Sequence, residues 1–316
     1  MILLTDLDHI PALSPPVMLT IGNFDGLHRG HKRVLRKVIT RAREEGGTSA
    51  VVTFEPHPLK VLHPERAPQL IQTQAQKRDI LAHLGIEILL EVPFTPEFSV
   101  MSAESFARLL AARLQPKEIY IGEDFRFGRG REGNIELLRA LQGELGFMAE
   151  SFPKLQAGGE DVSSSRIRKL LMEGRMEEAV HLLGRPYVIE GVVQRGDGRG
   201  RTLGFPTANL AIENELVPAH GVYAVAVDLG EAALLPGVAN LGTRPTFDKS
   251  EVAVEVHCLE GGRDCYGHRI RCLFFKFLRP EVRFGSVAEL KAQIALDVQA
   301  AREFFRESPL QRRMYY

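Results

Sequence analysis

The chain has 316 residues, 44% of them hydrophobic and 25% charged, with 40 basic and 40 acidic side chains. That length exceeds the roughly 100–200 residues of one typical domain, so two domains with sizeable cores are expected. The balanced charge argues against an electrostatic nucleic-acid or membrane binder. Three cysteines, Cys258, Cys265 and Cys272, do not make a disulfide framework or a paired zinc knuckle. No apolar run approaches the ~20 residues that span a bilayer, and the N-terminus lacks the cationic start of a secretory signal. The expectation is a reduced, cytoplasmic protein, a monomer or weak homo-oligomer, with small molecules as partners rather than nucleic acid or membrane.

In chain order, the first half alternates apolar runs with amphipathic stretches. Val17–Ile21 reads as a buried strand and Gly30–Glu45 as a helix with Val34, Leu35, Val38 and Ile39 on one face. Ala50–Phe54 is a second strand; Ala75–Leu84 is helical and leads into a strand at Glu87–Val92. Ser102–Leu114 is a helix with Ser102 as its N-cap, followed by strands at Glu118–Ile121 and Phe147–Phe152. Alternating strand and helix predicts a parallel sheet wrapped by helices, which binds ligands beyond the carboxyl ends of its strands. Ser164–Glu173 and Met176–Leu183 form a helical pair.

From Tyr187 onward the pattern changes to strands with glycine-rich turns, at Tyr187–Gln194, Val222–Leu229, Val252–Leu259 and Arg269–Leu278. No helix is expected across roughly 90 residues, which predicts an antiparallel barrel or sandwich. Ser286–Glu307 is a long amphipathic helix with Leu290, Ile294, Val298 and Ala301 on one stripe. The boundary is placed at Gly184-Arg185-Pro186, giving an α/β domain over 1–184 and an all-β domain over 185–316.

Gly22-Asn23-Phe24-Asp25-Gly26-Leu27-His28-Arg29-Gly30-His31 joins the first strand to the first helix. A helix start offers unpaired N–H groups and the positive end of a dipole, and so favours a phosphate. Gly26 and Gly30 permit close backbone approach, and His28 and His31 can both donate to phosphate oxygens. There is no P-loop and no dinucleotide fingerprint here. A plain turn carrying two surface histidines fits the same residues. A zinc site would need a fuller ligand set than Asp25 supplies.

The H-x-G-H order resembles the nucleotidyltransferase superfamily, and the longer string GNFDGLHRGH resembles its FAD synthetase branch. The resemblance implies that His28 and His31 hold the ATP phosphates while the FMN phosphate attacks the α-phosphorus and pyrophosphate leaves. Gly22, Asn23, Phe24, Asp25 and Gly30 would complete that pocket. The FMN phosphate is already an anion, so alignment and charge stabilisation suffice without a protein nucleophile. In this family the loop Phe54-Glu55-Pro56-His57-Pro58 lies near the flavin and phosphate site, giving Phe54, Pro56, His57 and Pro58 a flavin-side role; stiffened by Pro56 and Pro58, it also fits a rigid exit turn. In Gly122-Glu123-Asp124-Phe125-Arg126-Phe127-Gly128, Asp124 suits a ribose hydroxyl or adenine amine. Phe125 and Arg126 are flavin-side candidates, and at least one of Phe125 and Phe127 is expected in the core. Val162-Ser163-Ser164-Ser165-Arg166-Ile167-Arg168 resembles the family's second signature. Ser163, Ser164 and Ser165 can cap a helix, and with Arg168 they could clamp a triphosphate, since guanidinium suits phosphate geometry.

The β half opens on a second constellation, with Gly196, Gly198, Gly200 and Gly204 around Arg199 and Arg201. A glycine-rich loop can wrap an anion with backbone N–H groups, while the arginines also read as solvated charges. Pro206-Thr207-Ala208-Asn209 resembles the metal-binding signature of riboflavin kinases, with Thr207 and Asn209 holding Mg²⁺ beside the nucleotide. A hydroxyl and an amide carbonyl are hard oxygen ligands suited to that ion; an Asx or ST turn at a strand start is the plainer alternative. The strings His220–Ala224 and Gly237–Phe247 continue the likeness. Glu255 corresponds to the kinase family's catalytic carboxylate, which would take the proton of the riboflavin 5′-hydroxyl; it also fits a half-exposed Glu on an alternating strand. Leu259–Cys265 departs from the family pattern, with Gly261 in place of an aromatic residue.

The resemblance to the prokaryotic bifunctional riboflavin kinase/FAD synthetase family covers essentially the whole chain. It implies a Rossmann-like α/β nucleotidyltransferase domain, then a six-stranded antiparallel β-barrel kinase domain with a C-terminal helix packed on it. ATP would phosphorylate riboflavin to FMN and then adenylate FMN to FAD. The alternatives are FAD synthesis alone with a degenerate kinase module, and a flavin-binding regulator. The mark of a regulator would be loss of His28, His31, Thr207, Asn209 or Glu255, and all five are present.

Overall fold

The computed structural model describes residues 1–310 except 8, 12, 197–198, 232, 246–249 and 261–264. Gly198, the 246–247 end of the second kinase-like string and the Gly261 departure therefore lie outside the described residues. The chain packs as two compact units, Met1–Gln69 with Gln74–Ser163, and Leu70–Thr73 with Ser164–Tyr316.

In the first unit β1 (Ile2–Leu4), β2 (Val17–Ile21), α1 (Arg29–Glu44), β3 (Thr48–Glu55), α2 (Pro58–Leu62), α3 (Gln74–Leu84) and β4 (Ile88–Pro93) follow one another. After them come α4 (Pro96–Ser99), α5 (Ala103–Leu114), β5 (Pro116–Gly122), α6 (Ile135–Leu145), β6 (Met148–Phe152) and a small hairpin of β7 (Gln156–Ala157) and β8 (Glu160–Asp161). The six larger strands form one sheet in the order β1-β4-β3-β2-β5-β6, every pair parallel. β2 is buried at every position, as a central strand covered by helices on both faces must be. Ser102 caps α5 by accepting from Ser105 N–H, as expected. Helix α6 was not anticipated, although its signals are present: Asn134 accepts from Leu137 N–H at 3.0 Å, and Gly146 ends the helix at φ 76°.

The second unit holds α7 (Ser164–Met172), α8 (Met176–Leu183), β9 (Tyr187–Gln194), α9 (Arg199–Leu203), β10 (Ala208–Ile212) and β11 (Gly221–Asp228). It continues with β12 (Leu235–Pro245), β13 (Ser250–Cys258), β14 (Arg269–Arg279) and α10 (Val287–Glu307). The six strands close into a barrel in the order β10-β13-β12-β11-β14-β9, antiparallel throughout. The expectation of no helix in this stretch is corrected by the five-residue α9, which is too short to show a helical period. The sequence pattern alone gave no bounds for β10 and β12, two of the six strands that the resemblance implies. The change from helix to strand falls at 184–187, but packing divides the chain earlier: α8 lies on β14 and β9, so its apolar face is buried by the barrel.

Helix α10 packs on β11, β12 and β14. Ala301 is buried among Val222, Ala224 and Val238, with Val298 at the edge. Asp297 on α10 accepts two hydrogen bonds of 2.8 Å from the Arg279 guanidinium, a bidentate geometry that fixes orientation as well as charge. Glu190, fully buried on β9, accepts from Thr73 Oγ1 at 2.6 Å and from Arg271 Nε at 3.4 Å, which meets the requirement that a buried carboxylate be paired. The three cysteines are free thiols, Cys272 buried and the other two half-buried.

Candidate active sites

In the first unit β2 lies between β3 and β5. The chain runs from β2 out through β3 and β4, and β5 returns on the other flank, so the carboxyl ends of β2 and β5 form the switch point where such sheets bind ligands. The loops after β2, β3 and β5 leave from this one end. They are the three strand-exit segments singled out in the sequence.

The loop after β2 is tightly folded. Phe24, Gly26 and Leu27 have φ of 49°, 82° and 41°, and left-handed backbone at two non-glycine residues is strained. A Cβ on Gly22 would come within 3.1 Å of the Phe24 ring, and one on Gly30 within 3.1 Å of the His28 ring. Both glycines therefore make room for an aromatic ring. His28 is the N-cap of α1: its Nδ1 accepts the His31 backbone N–H. The rings of His28 and His31 stack with centroids 3.6 Å apart and 17° between planes, and Phe24 sets its edge against His31 at 5.3 Å. Burial first, then electrostatic interaction with His28 and Lys77, hold the His31 pKa well below its usual value, so His31 is a neutral imidazole. Asp25 and His28 are buried. These are not two surface histidines on a plain turn.

His57 caps α2 in the same manner, Nδ1 accepting from Leu59 N–H at 3.2 Å, with Pro58 in the first turn. The Asn23 side-chain amide meets His57 Nε2 at 3.3 Å, tying the β2 and β3 exit loops together. Pro56 is exposed. Phe54 is 7% exposed and packs with Phe94, Phe98 and Phe106 in the core. In the loop after β5, Asp124 is exposed with Lys154 Nζ at 3.5 Å. The Arg126 guanidinium donates to the carbonyls of Glu123 and Phe125. Phe127 is the core residue of its pair, and the Phe125 ring stacks on it. Ser163 ends the first unit; Ser164, exposed Ser165 and half-buried Arg168 stand on α7 of the second.

One residue near this site gave no signal in the sequence. Lys77 on α3 is 5% exposed, and its Nζ donates to the Asn23 carbonyl at 3.0 Å. Burial lowers its pKa, while Asp25, Glu55 and Glu91 pull the other way. A lysine on a helix normally reads as a solvated charge, and its partners are scattered over three other segments.

In the second unit the glycine-rich loop closes onto the start of β10. A Cβ on Gly196 would come within 2.2 Å of the Asn209 amide nitrogen, and one on Gly200 within 2.9 Å of Thr207 Oγ1. Gly204 takes a left-handed φ of 88°, and Arg201 and Pro206 are exposed. Only the backbone of Arg199, in the first turn of α9, is described. The Pro206 carbonyl accepts from His257 Nδ1 at 2.8 Å, and Phe205 sets its edge against the His257 ring.

Barrel register then decides the position of Glu255. It is the direct cross-strand partner of Asn209 on β10 and of Asn240 on β12. Directly paired residues share a face with Cβ atoms about 4.5–5.5 Å apart. Asn209, Glu255 and Asn240 thus form a half-buried polar row, with Thr207 just before it. Asn240 belongs to a string noted in the sequence but was not singled out. Among the described residues no group of three His, Cys, Asp or Glu could hold a metal ion. The hydroxyl and amide oxygens of Thr207 and Asn209 suit a hard divalent cation completed by water and phosphate, not a closed all-protein cage.

The FAD synthetase family model matches residues 10–166 and the riboflavin kinase family model residues 183–305. The chain is 43% identical over 290 residues to the bifunctional riboflavin kinase/FMN adenylyltransferase of Escherichia coli (strain K12), covering 91% of this chain and 92% of that protein. It is 37% identical over 293 residues to the protein of the same description from Listeria monocytogenes serovar 1/2a, with coverages of 91% and 92%. It also resembles a crystal structure described as a macrolide-efflux protein from Streptococcus pneumoniae, with TM-score 0.86 and 29% identity over 95% of this chain and 98% of that chain. Among the described residues no helix is long and apolar enough to cross a membrane.

Proposed function

This chain belongs to the bifunctional riboflavin kinase/FMN adenylyltransferase family, and on that premise we propose how its two units divide the work. The barrel phosphorylates riboflavin to FMN with ATP, and the parallel-sheet unit adenylates FMN with ATP, giving FAD and pyrophosphate. The observation that carries this division is that each unit assembles one constellation from its own elements: capped, stacked imidazoles in the first, the glycine loop and Asn209–Glu255 row in the second.

For adenylation, the FMN phosphate oxygen attacks the α-phosphorus of ATP in line with the departing pyrophosphate. His28 and His31 donate to the phosphate oxygens, where added charge is best met by preorganised donors. Gly22, Asn23, Phe24, Asp25 and Gly30 shape this pocket, and Asp124 addresses the nucleoside. The Pro56–Pro58 loop, with Phe54 behind it, and Phe125 and Arg126 form the flavin side. Ser163, which ends this unit, serves the triphosphate.

For phosphorylation, Glu255 takes the proton of the riboflavin 5′-hydroxyl as that oxygen attacks the γ-phosphorus and the bond to the β–γ bridging oxygen breaks, releasing ADP. Backbone N–H groups of the 196–204 loop cradle the phosphates. A divalent ion such as Mg²⁺ would be held by Thr207 and Asn209 and would neutralise phosphate charge. Asn209 is the direct neighbour of Glu255, which favours a working kinase over a degenerate module.

Product analysis tests the reading. Purified protein with riboflavin, ATP and Mg²⁺ should yield FMN before FAD. A chain that makes FAD from added FMN but no FMN from riboflavin would leave only the adenylyltransferase.

A further inference from the structure

We propose that Lys77 is a positioning residue for FMN adenylylation, acting by fixing the orientation of the Asn23–Phe24 peptide at the mouth of the phosphate pocket. This rests on assigning that activity to the first unit.

The geometry supplies the reason. The Asn23 carbonyl accepts from Lys77 Nζ at 3.0 Å and from Thr53 Oγ1 at 3.3 Å. In a planar trans peptide the N–H points opposite to the C=O, so drawing this carbonyl toward Lys77 aims the Phe24 N–H the other way. The orientation is strained, because it leaves Phe24 at φ 49°, and such backbone persists only where its surroundings over-determine it. The consequence runs on through the neighbouring rings. Phe24 sets its ring edge against His31, and His31 stacks on His28. If that peptide flips, the support for both imidazoles moves with it.

A purely structural lysine would answer a buried carboxylate directly. Here the hydrogen bond goes to a loop carbonyl, while Asp25 in the loop, Glu55 on β3, Glu91 on β4 and Arg78 on α3 surround the ammonium at longer range. Glu91 is engaged by Arg78 through both carboxylate oxygens. The charge of Lys77 also reaches His31 and helps keep that ring neutral.

The test compares Lys77→Met and Lys77→Arg in the full-length chain, measuring both activities and the His31 titration by NMR. Methionine keeps the packing of the stem and removes the donor and charge. The expected result for Lys77→Met is a fall of roughly 100-fold in kcat for FAD formation from FMN and ATP, the scale of a small misplacement of reacting groups. Its KM values should change little, riboflavin phosphorylation should run at the parent rate, and the His31 midpoint should rise. Lys77→Arg should recover part of the lost kcat and keep the low midpoint. Undiminished FAD formation, or parallel loss of both activities, overturns the proposal. Should the parent chain make no FAD, the functional assignment falls separately, and an unmoved His31 midpoint in Lys77→Met would then dispose of the positioning role on its own.

Discussion

His28 Nδ1 accepts the backbone N–H of His31 at 3.3 Å, closing the first turn of α1. A ring nitrogen that accepts carries no proton, so neutral His28 is protonated at Nε2 and donates from there. Capping and the proposed phosphate contact would thus use different atoms of one ring, and two substitutions separate them. His28→Asn keeps a good N-cap and should melt close to the parent, yet lose roughly 10²–10³ in FAD formation for want of the donor. His28→Ala should lose the same activity and about 1 kcal/mol of stability besides. Thermal melting with product assay reads both; a fully active His28→Asn would reduce His28 to a cap.

Glu255 is tested by its isostere. Glu255→Gln keeps size and hydrogen-bonding capacity but cannot take a proton, so riboflavin phosphorylation should fall by roughly 10²–10⁴. FAD formation from added FMN should be untouched, since that chemistry belongs to the other unit. Equal loss of both steps would remove the two-site assignment.

His31 makes stability depend on pH in a stated direction. Burial, with His28 and Lys77, lowers its folded pKa from the ordinary value of 6.5. The unfolded chain therefore takes up this proton first as pH falls. The stability held by neutral His31 is complete above about pH 6.5 and is lost below it at up to about 1.4 kcal/mol per pH unit, until the folded value is reached. Urea unfolding between about pH 7.5 and 5.5 should show this loss, and His31→Phe, which keeps an aromatic ring in the stack, should flatten the curve. A slope identical in the variant would assign the loss to other groups.

The thiols should be sluggish. Burial, with Cys265 nearby, pushes the Cys258 pKa up to about 11, and burial raises that of Cys272 well above its usual value. The thiolate is the reactive form. Brief iodoacetamide treatment near neutral pH should therefore leave Cys258 and Cys272 intact in the folded protein, whereas all three cysteines should react in denaturant, as intact-mass measurement would show.

The sequence by itself determined most of the elements and the two chemical strings. A continuous apolar run places β2, and periods of 2 and 3.6 residues place β9, α1 and α10, each within a residue or so, because burial is recorded in a local pattern. Ser102 and Ser286 announce their helices, since a side-chain cap reaches only the next turn. Tertiary structure alone decided the rest. Closure of the barrel sets the register that puts Asn209 beside Glu255 and adds Asn240. Packing on β14 and β9 draws α8 to the barrel. Lys77 reads as an ordinary helix lysine until Asn23, Asp25, Glu55 and Glu91 are gathered around it. A periodic pattern records which way a side chain faces, whereas its partner depends on how distant segments come together, and no local repeat encodes that.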